Sequence, residues 1–257
     1  MSAGDHGLGA SPPSGRAVPH TLFIADLHLC AEHPQTTRIF KDFLRNTAIF
    51  AESLYILGDL FEYWAGDDDL TDPHHAGVAS ALAELSRGGT AVFIMRGNRD
   101  FLIGDKFAQA AQARIASDPT LTDLYGTPTL LTHGDTLCSG DTGYLAFRDK
   151  VRAPSWQSAF LARPLAERKA EIEALRQRSE ADKSLKSEAE MDAQPDAVAA
   201  ALREHGYPRL IHGHTHRPAR HLHQIDGHDC ERWVLGSWHD HGSYLHCDAS
   251  GCRAIRL

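Results

Sequence analysis

No Cys-x-x-Cys pair occurs in this chain, and its five cysteines are an odd number. A zinc ribbon and a disulfide framework are both disfavoured, so buried or free thiols in a reducing compartment are expected. No apolar run approaches the roughly 18 residues that a membrane span requires. Residues 1–19 hold Gly, Ser, Pro and His but no apolar stretch of the kind a secretory signal carries, and they read as a flexible tail. Positive charge is short as well. Lys and Arg number 26 against 34 Asp and Glu, a net charge of -8 with histidines neutral. That balance argues against a general nucleic-acid binder, which needs a broad basic face to neutralise phosphates. Internal repeats are absent too. Histidine, by contrast, is in excess: there are 17, more than any single site can use. The chain's 257 residues leave room for one large domain, or a domain with an insertion, around a sizeable core.

Short apolar runs organise what is present. Thr21-Leu22-Phe23-Ile24 leads into Asp26-Leu27-His28. Such a run reads as a buried strand, and residues two apart in an extended chain point to one side, so Asp26 and His28 aim together beyond the strand end. Ser53–Leu57 ends in Gly58-Asp59, Ala91–Met95 in Arg96-Gly97-Asn98, Thr129–Thr132 in His133, and Arg209–Ile211 in His212-Gly213-His214-Thr215-His216. Closing strands are expected near 232–235, 244–246 and 254–257. Helical spacing marks Pro34–Phe50, the stretch around Val78, Leu82 and Leu85 that Gly88-Gly89 closes, and Phe101–Ala113. Asp67-Asp68-Asp69 reads as a solvated charge run in a loop. From Asp141 to about Arg203 there are helix formers and no strand alternation, so 141–203 reads as a helical cap inserted into a strand-rich chain. The fold class expected is α/β, a sandwich with a mixed sheet. Its core covers 20–140 and 204–257.

Five strand ends thus carry residues suited to a divalent metal: Asp26 with His28, Asp59, Asn98, His133, and His214 with His216. Ligands at strand ends of α/β sheets converge on one edge. Seven oxygen and nitrogen donors without a thiolate exceed one tetrahedron and suit two ions. Glycine beside three of these ends, Gly58, Gly97 and Gly213, permits close backbone approach. His212 alternates with His214 and is left out of the ligand set as a packing or supporting residue.

The order Asp-x-His, Gly-Asp, Gly-Asn, His, Gly-His-x-His resembles the calcineurin-like metallophosphoesterases over about residues 21–257. The resemblance implies their sandwich of mixed sheets flanked by helices. It implies one metal held by Asp26, His28, Asp59 and His216, and a second held by Asp59, Asn98, His133 and His214, with Asp59 bridging. Members that act on phosphoproteins carry Asp-Arg-Gly soon after Gly-Asp, whereas this chain continues Leu60-Phe61-Glu62-Tyr63-Trp64. The common Gly-Asn-His-Asp is here Gly97-Asn98-Arg99-Asp100. Arginine cannot give up a proton. A substrate whose leaving group departs as an anion, such as a diphosphate, needs no such donor.

The segments 24–30, 57–62, 97–102, 133–138, 211–218 and 235–239 resemble one branch of that family. The branch implies hydrolysis of UDP-2,3-diacylglucosamine to UMP and 2,3-diacylglucosamine 1-phosphate in lipid A biosynthesis. It implies two Mn²⁺ ions that activate a water for attack on the uridylyl phosphorus, and a cytoplasmic protein peripheral to the inner membrane. Asp59, Asn98 and Arg99 are the implied catalytic residues. Asn98, Arg99, Asp141, Ser179, Lys183, Lys186 and His214 are the implied substrate contacts, although position 183 often carries Asn in the family. Between 145 and 178 eight basic residues face four acidic ones, with Trp156, Phe160, Leu161 and Leu165 among them. Such a segment can lie on an anionic membrane surface. No nucleic acid and no protein partner is called for. Two rival readings are another phosphodiesterase or nuclease on the same metal site, and a non-catalytic scaffold. The first lacks a broad basic face here, and the second would have lost ligands.

Overall fold

The computed structural model describes residues 18–183, 191–239 and 241–257. The first three strands, β1 (Thr21–Ile24), β2 (Ser53–Leu57) and β3 (Ala91–Met95), run parallel, with β2 between the other two. A parallel pair needs a crossover, and the helices α1 (Pro34–Asn46), α2 (Pro73–Arg87) and α3 (Asp105–Ala111) belong to the crossovers here. Strand β4 (Arg114–Ala116) extends this sheet on one side. The antiparallel hairpin of β10 (Ser243–Asp248) and β11 (Gly251–Arg256) extends it on the other, giving the order β11-β10-β1-β2-β3-β4.

A second sheet holds β5 (Thr120–Leu124), β6 (Thr127–Thr132), β7 (Arg209–His212), β8 (Ala219–Ile225) and β9 (His228–Val234), in the order β5-β6-β7-β9-β8. Between β6 and β7, themselves adjacent and parallel, come α4 (Thr142–Arg152), α5 (Pro154–Leu161), α6 (Leu165–Lys183) and α7 (Pro195–Glu204).

Alternate residues of the buried strands face different layers. Leu22, Ile24, Leu54, Ile56, Val92 and Ile94 pack against Phe40, Phe43, Val78, Leu82 and Phe107 of the helices. Their neighbours Phe23, Ala25, Leu57 and Met95 meet Leu131, Ile211, Trp233 and Leu235 of the second sheet. The outer face of that sheet is covered through Leu130, Leu210 and Ile225 by Val198 and Leu202 of α7. The layers therefore run helix, sheet, sheet, helix, and the mixed α/β sandwich expected from the strand pattern is what folds.

Four expectations change. Strands β4, β5 and β8 had no signal, because they are short or mostly exposed and polar. The third helix starts at Asp105 rather than Phe101, where Gly104 precedes it in extended conformation. Cys247 and Cys252 are joined as a disulfide, because the β10–β11 register sets them opposite one another with Cα atoms 4.2 Å apart. Cys30, Cys138 and Cys230 are buried free thiols, as expected of all five. Finally, Asp67–Asp69 is no solvated run. Asp67 accepts from the Trp64 indole and from the backbone N–H groups of Gly104, Lys106 and Phe107, and so fixes the start of α3. Asp69 is 1% exposed and pairs with Lys169 of α6.

Candidate metal centre

The seven proposed ligands meet where the ends of β1, β2, β3, β6 and β7 converge. Five of them, Asp26, His28, Asp59, His214 and His216, have positive φ between 51° and 68°. Only nine non-glycine residues have positive φ among the described ones. Left-handed backbone costs a side-chain-bearing residue energy and concentrates at sites where the surroundings impose it. Here backbone hydrogen bonds impose it. Leu27 N and His28 N donate to Asp59 O at 2.9 and 3.0 Å, Asp26 N to Gly58 O, and Trp238 N to Asp26 O. Asp26 Oδ2 accepts the His214 N–H at 2.8 Å, which ties the first strand end to the fifth. Gly213 N donates to His133 O and ties the fifth to the fourth.

The donor atoms form two groups. In the first, His28 Nε2 lies 3.3 Å from His216 Nε2 and 3.8 Å from Asp59 Oδ2, and His216 Nε2 lies 3.5 Å from Asp26 Oδ1. In the second, Asn98 Oδ1 is 2.9 Å from both His133 Nε2 and His214 Nδ1, and His133 Nε2 is 3.8 Å from Asp59 Oδ1. Asp59 turns one oxygen to each group.

The ring nitrogens of the centre have fixed partners. His133 Nδ1 is 2.9 Å from the Leu57 carbonyl, which can only accept, so the ring proton sits on Nδ1. In the neutral ring His133 Nε2 then carries the lone pair, and it faces a carboxamide oxygen and a carboxylate. His28 Nδ1 is 2.9 Å from Glu62 Oε2, an ion-pair contact, and its Nε2 faces His216 and Asp59. Asp26 Oδ1 is buried and has no hydrogen-bond donor among the described residues. Acceptors gathered around shared points, in a donor set of carboxylate, amide and imidazole, fit divalent cations.

The electrostatics point the same way. Burial opposes charge on His133, yet Asp59, Asp135 and Asp26 raise its imidazole to about 9. Burial would raise Asp26, but the imidazoles of His216, His133 and His28 hold it down to about 2. For His214, burial and the charge of His133 lower the imidazole to about 4.

Several supporting residues had no sequence signal. Asp100 is fully buried and accepts from the N–H groups of Gly97, Asp59, Leu60 and Phe61, clamping two strand ends together. Burial and the charge of Asp59 push its carboxyl up to about 6. Asp135, also buried, accepts from Tyr144 Oη at 2.5 Å and Arg148 Nε at 2.7 Å of α4. His239 stacks on His28, with centroids 5.4 Å apart. His212, which the sequence does mark as a packing or supporting residue, supports the neighbouring ligand loop. Its Nδ1 is 2.8 Å from Gly213 O, and its Nε2 faces Arg232 Nη1 at 3.1 Å.

Of the implied substrate contacts, Asn98, Arg99 and His214 lie at the centre. The backbone N–H of Arg99 donates to Asp59 Oδ1 at 2.8 Å, and its guanidinium lies 3.7 Å from Glu62. The Asp141 side chain accepts from Tyr144 N at the start of α4. Ser179 and Lys183 fall on the last turns of α6, and Lys186 lies outside the described residues, as does the expected tail up to residue 17.

The basic residues of the helical segment turn largely inward. Arg148, Arg152, Lys169 and Arg176 pair with Asp118 and Asp135, with Asp135, with Asp69 and with Glu62 respectively. Arg168 is 2% exposed and bonds the Ala65 carbonyl and Asp68. Trp156 stacks on Phe160, which packs into the core.

The profile of the calcineurin-like phosphoesterases matches residues 19–218. A protein of Aromatoleum aromaticum named UDP-2,3-diacylglucosamine hydrolase is 56% identical over 230 residues, 90% of this chain and 94% of the relative. Proteins of the same name are 51% identical in Cellvibrio japonicus, covering 90% of this chain and 96% of the relative. In Xanthomonas campestris pv. campestris the identity is 50%, covering 92% and 98%. Among solved structures, an archaeal phosphodiesterase aligns at a TM-score of 0.44 and 12% identity, covering 93% of this chain and 99% of the other. The Pseudomonas putida nuclease MPE aligns at 0.43 and 17%, covering 95% and 89%.

Proposed function

The chain belongs to the calcineurin-like phosphoesterase family, and from that premise we propose that it hydrolyses the diphosphate of UDP-2,3-diacylglucosamine to UMP and 2,3-diacylglucosamine 1-phosphate. The observation that carries the hydrolytic reading is the pair of acceptor groups sharing Asp59. The substrate rests on the names of relatives 50–56% identical over about nine-tenths of the chain. Asp26, His28, Asp59 and His216 would hold one ion, and Asp59, Asn98, His133 and His214 the other. The oxygen and nitrogen donors, with no thiolate, suit Mn²⁺. Bound ions supply Lewis acidity and a water acidic enough to ionise near neutral pH.

The chain's own residues do the rest. Asp59 fixes the spacing of the two groups. Arg99 presents a permanent, planar cation to the equatorial phosphate oxygens, where charge gathers during an in-line displacement. A departing phosphate ester has a second pKa of about 6 and leaves without a proton from the protein. Asp141, Ser179, Lys183 and Lys186 complete the proposed substrate contacts. We divide the chain into a tail at 1–19, a core at 20–140 and 204–257, and a cap at 141–203 that takes the acyl chains.

An acylated substrate resides in a bilayer, so the reading includes peripheral attachment to the cytoplasmic face of the inner membrane. Phe147 and Leu161, each about two-fifths exposed on α4 and α5, support it. Among the described residues no helix is long and apolar enough to cross a membrane.

Turnover of UDP-2,3-diacylglucosamine by the purified protein, with and without Mn²⁺ and beside unacylated UDP-glucosamine, tests the proposal. Mn²⁺-dependent release of UMP from the acylated compound alone is expected. Equal turnover of both would make the protein a general nucleotide pyrophosphatase.

A further inference from the structure

Glu62 has no part in the reaction described so far, yet it touches two of its components, His28 and Arg99, and an arginine of the inserted helices. Its side chain is 17% exposed. Oε2 lies 2.9 Å from His28 Nδ1. Oε1 lies 2.8 Å from Arg176 Nη2 of α6 and 3.7 Å from Arg99 Nη1. The backbone of Glu62 is fixed beside the His28 loop by its N–H bond to Leu29 O at 3.1 Å. Arg176 is itself seated over the Tyr63 ring, 5.9 Å from its centroid. One carboxylate therefore spends one oxygen on a ligand of the metal centre and the other on two guanidinium groups, one of them on the inserted helices.

We propose that Glu62 is a positioning residue that holds His28 with Nε2 aimed into the first donor group and makes cation binding there depend on Arg176 of α6. The proposal rests on the metal reading above. A carboxylate on one imidazole nitrogen fixes the tautomer and the ring plane and makes the other nitrogen a better donor. Without it the ring can carry its proton on Nε2 and turn away. Arg176 and Arg99 balance the charge of Glu62 and hold its rotamer. Among the described residues, loss of Arg176 leaves Glu62 Oε1 the longer contact to Arg99. Because α6 belongs to the segment proposed to bind substrate, helix placement and loading of one cation become linked, and each strengthens the other.

The test is Mn²⁺ titration of chelator-stripped protein, followed by calorimetry and by loss of the free-ion EPR signal. It uses the full-length wild type and H28A, E62A, E62Q, R176A and E62A/R176A. Wild type should bind two ions and H28A one. E62A should bind one ion as wild type does and the other about 10–100-fold more weakly. R176A should weaken the same site by a smaller factor. The double variant should be no worse than E62A, since the two residues act through one contact. E62Q keeps a carbonyl acceptor for Nδ1–H and should recover part of the loss. The melting temperature of each metal-free variant separates misfolding from lost affinity, and E62Q serves if E62A does not fold. If H28A loses one ion while E62A and E62Q bind both as wild type does, Glu62 is idle and the proposal is overturned. Additive losses in the double variant would place the effect of Arg176 elsewhere and overturn the link to α6. If H28A still binds two ions tightly, the ligand assignment itself falls, and this proposal with it.

Discussion

At the scale of single residues, the ligands were legible because each follows an apolar run and keeps a fixed neighbour. Asp26 with His28, or Gly213 with His214 and His216, announces itself without any knowledge of the fold. Glu62, Asp100 and Asp135 were on view in the same segments but gave no signal. Their roles depend on which N–H groups, imidazoles or guanidiniums the tertiary structure brings to them, and no spacing encodes that. Arg99 is the departure from the common motif, and its variants should read out its role. Arg99→Ala should lower kcat by roughly 10²–10³, the scale of one lost preorganised charge stabiliser. Arg99→Lys should recover only part, because a point charge does not reproduce a planar fork. Arg99→His should add no acid limb to the kcat–pH profile on the diphosphate. Wild-type rates from Arg99→Ala would make the side chain structural. Gly97 tests the packing of the centre without removing a donor. A methyl at this position would overlap the amide nitrogen and carboxylate of Asp59. Gly97→Ala should therefore shed both ions, seen as metal content after desalting, and cut turnover by roughly 10²-fold or more. Full retention of two ions would show that the Asp59 loop has slack.

At the scale of elements, buried strands were legible and exposed ones were not. β1 is buried at all four positions and reads as an unbroken apolar run. β8, an edge strand of sequence ARHLHQI, buries one residue. Its histidines fit a half-solvated edge but carry no pattern that a loop would lack. The acidic run at 67–69 reads as solvated for a related reason. Its carboxylates satisfy the first N–H groups of α3 and a lysine of α6, partners distant in sequence. Arg168 is the strongest case of hidden structure, since a charged residue amid helix formers reads as solvated. It lies buried between the Ala65 and Arg163 carbonyls and Asp68. Arg168→Ala should leave two carbonyls without donors and cost about 2–4 kcal/mol. For a chain of this size that is a fall of roughly 5–15 °C in melting temperature. A shift under about 2 °C would mean that water replaces the guanidinium.

At the scale of the whole molecule, the donors come from both sheets: Asp26, His28, Asp59 and Asn98 from the first, His133, His214 and His216 from the second. Removing the ions leaves like-natured acceptors facing one another across the gap between sheets. Thermal unfolding of chelator-treated protein should accordingly occur at lower temperature and climb with added Mn²⁺. The gain should be about 2.7 kcal/mol when free metal reaches a hundred times Kd. A melting temperature that ignores Mn²⁺ across that range would mean that the ions bridge nothing of structural consequence.

Strands β6 and β7 are hydrogen-bonded neighbours running in the same direction, so some excursion between them is obligatory. Among the described residues, four helices between 142 and 204 lie in that excursion. The strand ends that carry the ligands lie before and after the excursion, not in it. Selection can therefore rewrite, lengthen or trade these helices as an exchangeable module, while the strand ends that carry the ligands stay in register. Transplanting residues 142–204 between relatives should carry substrate preference with it. The contacts that such a graft must keep include Asp135 with Arg148, Asp69 with Lys169, Ala65 with Arg168, Glu62 with Arg176, and the packing of Val198 and Leu202 on the second sheet.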